Sequence, residues 1–466
     1  MASIKRKFIG DRAFYRKLFA VMLPILVQNV ITNFVGLLDN IMVGRLGTEQ
    51  MSGVAIVNQL IFVFALCIFG GISGAGIFTT QFFGSKDDEG VRYSVRVKFY
   101  VIIIATAVFA VAFLGFGDKL ISLFLHEGKE DLDLAATLEF GKKYLAVMVW
   151  QALPFAVMQV YSGTLRETGE TVVPMVAGIA AIFVNLFLNW VLIFGRLGAP
   201  ALGVEGAALA TLIARLVELS VVVIWAHTHV KRFTYLKGLY RSFRVPGGLL
   251  KRIAIKGAPL LMNEVLWASG MTMLNQCYSR RGLEVVSAVN ISPTVSNLFF
   301  CSFFAMGSTV SIIVGQLLGA GEFERAVDED RKLIAFSITL CTVTGAVMAA
   351  VAPLIPQIYN TTAAVKALAC ELLIVSACMM PMDAFTNASY FTLRSGGKTL
   401  ITFLFDSFFV WVISVPVTFV LSRFTGIPII PMFIIVRGLD LIKCVIGFVL
   451  IKKRTWVNNL TVGADS

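Results

Sequence analysis

Residues 18–43 read LFAVMLPILVQNVITNFVGLLDNIMV, a run with no lysine or arginine and one acid, Asp39. As a helix rising ~1.5 Å per residue, such a run exceeds the ~30 Å hydrocarbon core of a bilayer, where so apolar a segment is most stable. Comparable runs follow at about 51–82, 95–115, 141–163, 171–194, 204–226, 253–278, 285–318, 333–356, 367–392, 399–421 and 429–451. Together these twelve runs use up most of the 466 residues. The chain is 57% hydrophobic and 15% charged, whereas soluble domains run nearer ~45–50% and ~25%. An ordinary soluble enzyme, a disordered chain and a disulfide-built secreted domain are thereby excluded. The expected fold is an all-α polytopic membrane protein with twelve transmembrane helices.

The loop charges predict an orientation. With the termini and alternate loops on one side, that side holds 27 of the 40 lysines and arginines and the other holds 10. Both termini are therefore expected in the cytoplasm, in a multi-pass protein of the plasma (inner) membrane. The net charge of +12 follows from this topology and from attraction to lipid head groups, so no nucleic-acid partner is expected. Segment 227–256 carries eight basic residues and no acid. It reads as a cytoplasmic linker, with room for an amphipathic helix on the membrane surface. The cysteines form no CxxC, and the histidines (His126, His227, His229) sit at loop edges. No zinc, haem or other resident cofactor is expected, and no catalytic set marks the chain as an enzyme.

The run at 18–43 has a partner at 253–278. At an offset of 235, Pro24 falls on Pro259, Asn40 on Asn275 and Arg45 on Arg280, and farther along Gln81 falls on Gln316 and Gly84 on Gly319. At 228, Leu165-Arg166 falls on Leu393-Arg394; at 222, Arg215 falls on Arg437. The chain thus divides into an N-terminal lobe (1–226), a linker (227–252) and a C-terminal lobe (253–466). Six helices is an even number, so both lobes enter the membrane in the same direction. They are expected to be related by a pseudo-two-fold axis along the membrane normal. Such lobes enclose a cavity, and rocking them gives alternating access.

A charge in the bilayer core costs at least ~2.5–3.5 kcal/mol. Seven acids fall inside the runs: Asp39, Glu218, Glu264, Glu371, Asp383, Asp406 and Asp440. Glu218 lies three residues after Arg215, and Asp440 lies three from both Arg437 and Lys443, spacings that neutralise charge along one helix face. Glu371 is near a helix end, and Asp406 is close enough to one to reach water. Glu264 and Asp383 have no base within a helical turn. The two could meet inside the C-terminal lobe and share a proton or a small cation, or serve structure alone. Asp39 either reaches interfacial water or joins Asn185 and Asn189, spaced i, i+4, and Thr211. A carboxylate, two amides and a hydroxyl are hard oxygen ligands suited to Na⁺, though buried amides can equally tie helices together. Some of the 38 phenylalanines and 16 methionines would suit a flat organic cation if they line the cavity.

GLLDNIMVGRLG (36–47), QFFGSKD (81–87), TLRETG (164–169), NLFLNWVLIFG (185–195) and GVEGAALAT (203–211) recur in order with APLLMNE (258–264), VGQLLGAGE (314–322), PMDAFTN (381–387) and TLRSGGKT (392–399). In these stretches, and over about residues 15–455, the chain resembles the multidrug and toxic compound extrusion (MATE) transporters of the multidrug/oligosaccharidyl-lipid/polysaccharide exporter superfamily. Glu264 makes it similar to the NorM-like branch rather than the DinF-like one. The resemblance implies a monomeric antiporter, coupled to Na⁺ or H⁺, that exports organic cations or drugs. It implies an N-lobe cation site at Asp39, Asn185, Asn189 and Thr211 and a C-lobe site at Glu264 and Asp383, either of which would hold Na⁺ or carry the proton. The sequence departs at Asn189, where some members carry an acid. The alternative is a lipid-linked oligosaccharide flippase of the same superfamily, whose cavity should be strongly cationic.

Overall fold

The structure is a computed structural model and describes residues 7–124, 133–359 and 361–462; His126 lies outside them. The described residues are nearly all helical. In chain order the helices are α1 (Arg12–Gly44), α2 (Thr48–Gly84), α3 (Asp88–Ser122), α4 (Leu134–Glu167), α5 (Val172–Phe194) and α6 (Gly203–Thr228), then α7 (Gly247–Ser279), α8 (Leu283–Gly319), α9 (Phe323–Val351) and α10 (Ala363–Ser395). α11 spans Thr399–Phe424, and α12 runs as Ile429–Gly438 and Asp440–Lys452. Among the described residues, ten helices are long and apolar enough to cross a membrane. The other two are α7, which carries Lys251, Arg252, Lys256, Asn263 and Glu264, and α12, whose two pieces are each too short to be counted alone. The expected all-α, multi-pass fold is the one observed.

The chain forms two compact units. One contains Val27–Thr79 and Asp88–Ile253; the other contains Met1–Leu26, Thr80–Asp87 and Ala254–Ser466. The second unit is therefore not built from the C-terminal half alone. Phe14, Leu18, Val21, Met22 and Ile25 of α1 lie in one apolar core with Met306, Val310, Ile313, Leu333, Leu393 and Trp456. Pro24 and Pro259 interrupt the hydrogen-bond ladders of α1 and α7, as proline must inside a helix.

The second unit also holds a reciprocal contact between repeat-related residues. A Cβ on Gly84 would fall 2.9 Å from Cα of Gln316, and a Cβ on Gly319 would fall 2.6 Å from Cα of Gln81. The ends of α2 and α8 thus cross backbone to backbone, each glycine against the glutamine of the other repeat. Only glycine fits so close an approach. The buried Gln81 amide then donates to the carbonyl oxygens of Ser395 (2.8 Å) and Asn458 (3.2 Å) and accepts from the Leu460 N–H (2.6 Å).

α11 is locally widened by two π turns, Leu404–Phe408 and Val410–Ser414, a distortion frequent near functional groups. α7 anchors them. Ser407 Oγ donates to Asn263 Oδ1 (2.8 Å), and Trp411 Nε1 donates to the Leu266 carbonyl (2.8 Å).

The linker corrects one expectation. Residues 229–246 hold no amphipathic helix, only a 3₁₀ turn at Thr234–Leu236, and residues 247–252 are the first turns of α7. Phe233, Tyr235, Leu236 and Leu239 are buried. Arg96 of α3 donates to the carbonyls of Leu239, Arg244 and Gly238, each at 3.1 Å. The aromatic and aliphatic residues thus pack as a strap on α3 and α4 instead of forming a helix face.

Replacing Gly84 or Gly319 with leucine is expected to lower the thermal unfolding temperature of the detergent-purified protein by several degrees, because the obstructing atoms are backbone and overpacking costs roughly 1–3 kcal/mol or more. Gly115→Leu, whose Cβ meets nothing within 4 Å, should leave it unchanged.

Candidate functional site

Asp39 lies five residues before the end of α1. Asn185 and Asn189 stand one turn apart on the otherwise apolar α5, and Thr211 sits on α6. The four come together. Asn189 Nδ2 donates to Asp39 Oδ1 at 2.7 Å. With its amide nitrogen toward the acid, Asn185 donates to both Asp39 oxygens (2.9 and 3.1 Å) and accepts from Thr211 Oγ1 (3.3 Å). With the amide reversed, its oxygen accepts from Asn189 at 3.2 Å and its nitrogen donates to Thr211 at 3.3 Å. Asn189 is 2% exposed, and its Oδ1 is buried without a hydrogen-bond partner. An amide can present either N–H or oxygen to the same point. The cluster can therefore solvate Asp39 with N–H groups, or turn its oxygens to join the carboxylate around a small cation. Asp39 thus lies within hydrogen-bond reach of Asn185 and Asn189.

Charges close to this cluster are internally compensated. Arg215 pairs with Glu218 at 2.6 Å, as their spacing implies, and its guanidinium lies 5.6 Å from the Phe155 ring centroid. Both Arg215 and the buried Tyr144 lie within electrostatic reach of Asp39.

The C-terminal acids are arranged differently from expectation. No ion pair or hydrogen bond joins Glu264 and Asp383 among the described residues. Asp383 accepts from Arg437 Nη2 at 2.5 Å. Arg437 also approaches Asp440 (3.9 Å), Lys443 contacts Asp440 (3.3 Å) and Asp406 (3.7 Å), and Asn263 donates to Asp406 at 3.0 Å. The charges acting on Glu264 are Arg394 and Asp406. The structure thus gives Asp383 an arginine partner and shows no direct bond between it and Glu264 among the described residues. The bases spaced to serve Asp440 along α12 are shared with Asp383 on α10 and Asp406 on α11, a cross-helix relation invisible in sequence spacing. Asp406 is accordingly tied to Lys443 and Asn263. Glu371 is exposed.

Three buried polar contacts were missed in the sequence. Lys98, fully buried, pairs with Glu167 and donates to Thr164 Oγ1 (3.0 Å). Lys98 stands near the start of the apolar run 95–115, but α3 begins at Asp88, so it is nearly three turns inside. Arg166 donates to Gln28 Oε1 (2.7 Å), and Thr392 donates to the buried Asp330 (2.6 Å). The repeated TLR at 164–166 and 392–394 was the available signal, because both threonines hold these charges.

A family model described as MatE matches residues 24–191 and 259–420. The chain belongs to the MatE family. The two matched stretches begin at the repeat-related Pro24 and Pro259, in agreement with the 235-residue offset. The chain is 26% identical over 424 residues to "Probable multidrug resistance protein NorM" of Thermotoga maritima, covering 88% of this chain and 86% of that protein. It is 23% identical to "Multidrug resistance protein MdtK" of Edwardsiella ictaluri, covering 87% of each. Among solved structures, an outward-facing multidrug resistance MATE family transporter superposes with a TM-score of 0.85 at 19% identity, covering 97% of this chain and 98% of that one. MATE proteins are transporters, and this chain is a multi-pass membrane transporter rather than an enzyme.

Asp383→Asn and Arg437→Gln should each impair transport, because each leaves a buried charge without its partner. The double variant should regain most of the activity in a whole-cell efflux assay. A double variant as inactive as Asp383→Asn would instead make Asp383 an ion-coupling group in its own right.

Proposed function

We propose that the protein is a cation-coupled antiporter that exports organic cations, with Na⁺ or H⁺ entering through the Asp39 cluster. The observation that carries this reading is the pairing of a membrane-embedded carboxylate with reversible amide partners and, among the described residues, no directly bonded base. A carboxylate locked to arginine offers nothing to an incoming ion. Asp39 can exchange amide N–H groups for a proton, or for a cation held with Asn185, Asn189 and Thr211. Either event removes a negative charge from a low-dielectric site, where it weighs heavily. The coupling follows if ion and drug prefer different conformations. Alternating access by two lobes, and both termini in the cytoplasm, complete the proposal.

The names of the NorM and MdtK relatives favour drug-like cargo. The flippase alternative calls for free cations in the cavity wall. In the C-terminal unit Arg437 and Lys443 are both engaged by acids, which favours cationic over pyrophosphate-bearing cargo. Asp383 enters as a structural ion pair, leaving Glu264, which forms no ion pair among the described residues, as the member of the two that is open to an ion.

The deciding experiment is ethidium efflux from proteoliposomes under a Na⁺ gradient and, separately, a pH gradient. One of the two should drive efflux, and Asp39→Asn should abolish it with folding intact. Efflux that persists in Asp39→Asn would remove Asp39 from the coupling role.

A further inference from the structure

We infer that Phe155 of α4 is a positioning residue for the Asp39 site: its ring holds the Arg215 guanidinium beside Glu218 and keeps that base from pairing with Asp39, a role that rests on Asp39 being the ion-coupling carboxylate.

The two repeats treat one arginine position differently. At an offset of 222, Arg215 and Glu218 of α6 correspond to Arg437 and Asp440 of α12; at 228, Phe155 of α4 corresponds to Asp383 of α10. In the C-terminal unit Arg437 serves two acids at once. Its Nη2 reaches Asp383 at 2.5 Å, and its Nη1 lies 3.9 Å from Asp440. Arg215 meets the residues at the same two positions of its own repeat. Its Nη1 pairs with Glu218 at 2.6 Å, and its guanidinium carbon lies 5.6 Å from the centre of the Phe155 ring. An aromatic face thus stands where the other repeat has a carboxylate, and within ~6 Å such a face attracts a guanidinium.

The consequence falls on Asp39. Arg215 is one helical turn beyond Thr211 on α6, hence on the same face as a member of the Asp39 cluster. Among the described residues, Arg215 is the base whose charge acts on Asp39, and no ion pair joins the two. Tyr144 also faces Asp39, with its hydroxyl donated to Asn58 Oδ1 at 3.2 Å. Arg166 acts on Glu218 but donates to Gln28. A guanidinium is a planar fork of five N–H donors and can bridge two carboxylates, as Arg437 does. With one edge on Glu218 and no ring against it, Arg215 would turn its free edge to Asp39. It would then supply the positive charge that the ion has to supply, and the site would resist Na⁺ or H⁺.

The ring is held in place for this task. Phe155 lies against Phe64 at 6.3 Å between centroids, and Phe64 lies against Phe109 at 4.2 Å. Phe64 and Phe109 are both buried, so the wall behind the ring is fixed by close packing.

The test measures initial ethidium efflux by the full chain in proteoliposomes against the concentration of the driving ion, Na⁺ or H⁺. Phe155→Leu keeps apolar bulk without the ring face. It should raise the half-saturating ion concentration about three- to tenfold with the maximal rate largely kept; for H⁺ the half-activation point moves to lower pH. Phe155→Tyr retains the ring, and Phe155→Asp gives Arg215 the kind of partner that Arg437 has. Both should hold the wild-type ion requirement. A residue that merely filled space would make Phe155→Asp the most damaging of the three and lower the maximal rate without moving the ion requirement. That pattern, an unchanged requirement in Phe155→Leu, or a rise in Phe155→Asp as large as in Phe155→Leu would each overturn the inference. Asp39→Asn in the same assay tells the two roles apart. If it is inactive while Phe155→Leu matches wild type, only the role of Phe155 fails. If it transports like wild type, the role of Asp39 fails and that of Phe155 with it.

Discussion

Every charge that this chain carries into hydrocarbon has to be answered locally, because no solvent is there to answer it. Most of the answers are opposite charges: Arg215 for Glu218, Arg437 for Asp383, Lys443 for Asp440, Lys98 for Glu167. Such pairs place helices relative to one another and resist exchange, since removing one partner strands the other. Asp39 is answered by amide dipoles. Dipoles can rotate and carry no net charge, so they stabilise an anion without cancelling it. That difference in how charge is balanced, more than the presence of acids as such, separates a site that can take up an ion from one that holds a fold together.

The second constraint is close approach. Where the ends of α2 and α8 cross, the glycine of each repeat lies against the glutamine of the other. A reciprocal contact of this kind is what a two-fold relation between duplicated segments produces. It explains why the QxxG spacing is kept at both 81–84 and 316–319. The same unit draws in the first 26 residues, so α1 belongs to one compact unit at its start and to the other at the end that carries Asp39.

Much of this was legible without coordinates. Twelve apolar runs, their duplication and the Arg215–Glu218 pairing follow from hydropathy and spacing, which are local properties of the chain. The four-residue cluster at Asp39 was also legible, because i, i+4 spacing on α5 puts both asparagines on one face and few other polar groups compete nearby. The C-terminal acids were not legible in the same way. Glu264 and Asp383 looked alike because neither has a base near it in sequence. Only the packing of α10 and α11 against α12 showed that Arg437 reaches Asp383 and Lys443 reaches Asp406. Lys98 was not recognised as a buried base because a helix start cannot be located to the turn by composition.

The linker completes the contrast. Its eight bases were countable, and they predicted a membrane-surface segment. Its conformation depended on Arg96 of α3 capturing three carbonyls and on Tyr235 and Leu239 finding a buried home. The sequence by itself determined the number of helices, the internal duplication, the family and the identity of the polar groups in the membrane, because each depends on residue type and periodicity. Tertiary structure alone decided which acid is locked, which is available and which bases are left unpaired, because those outcomes depend on partners that are close in space and distant along the chain.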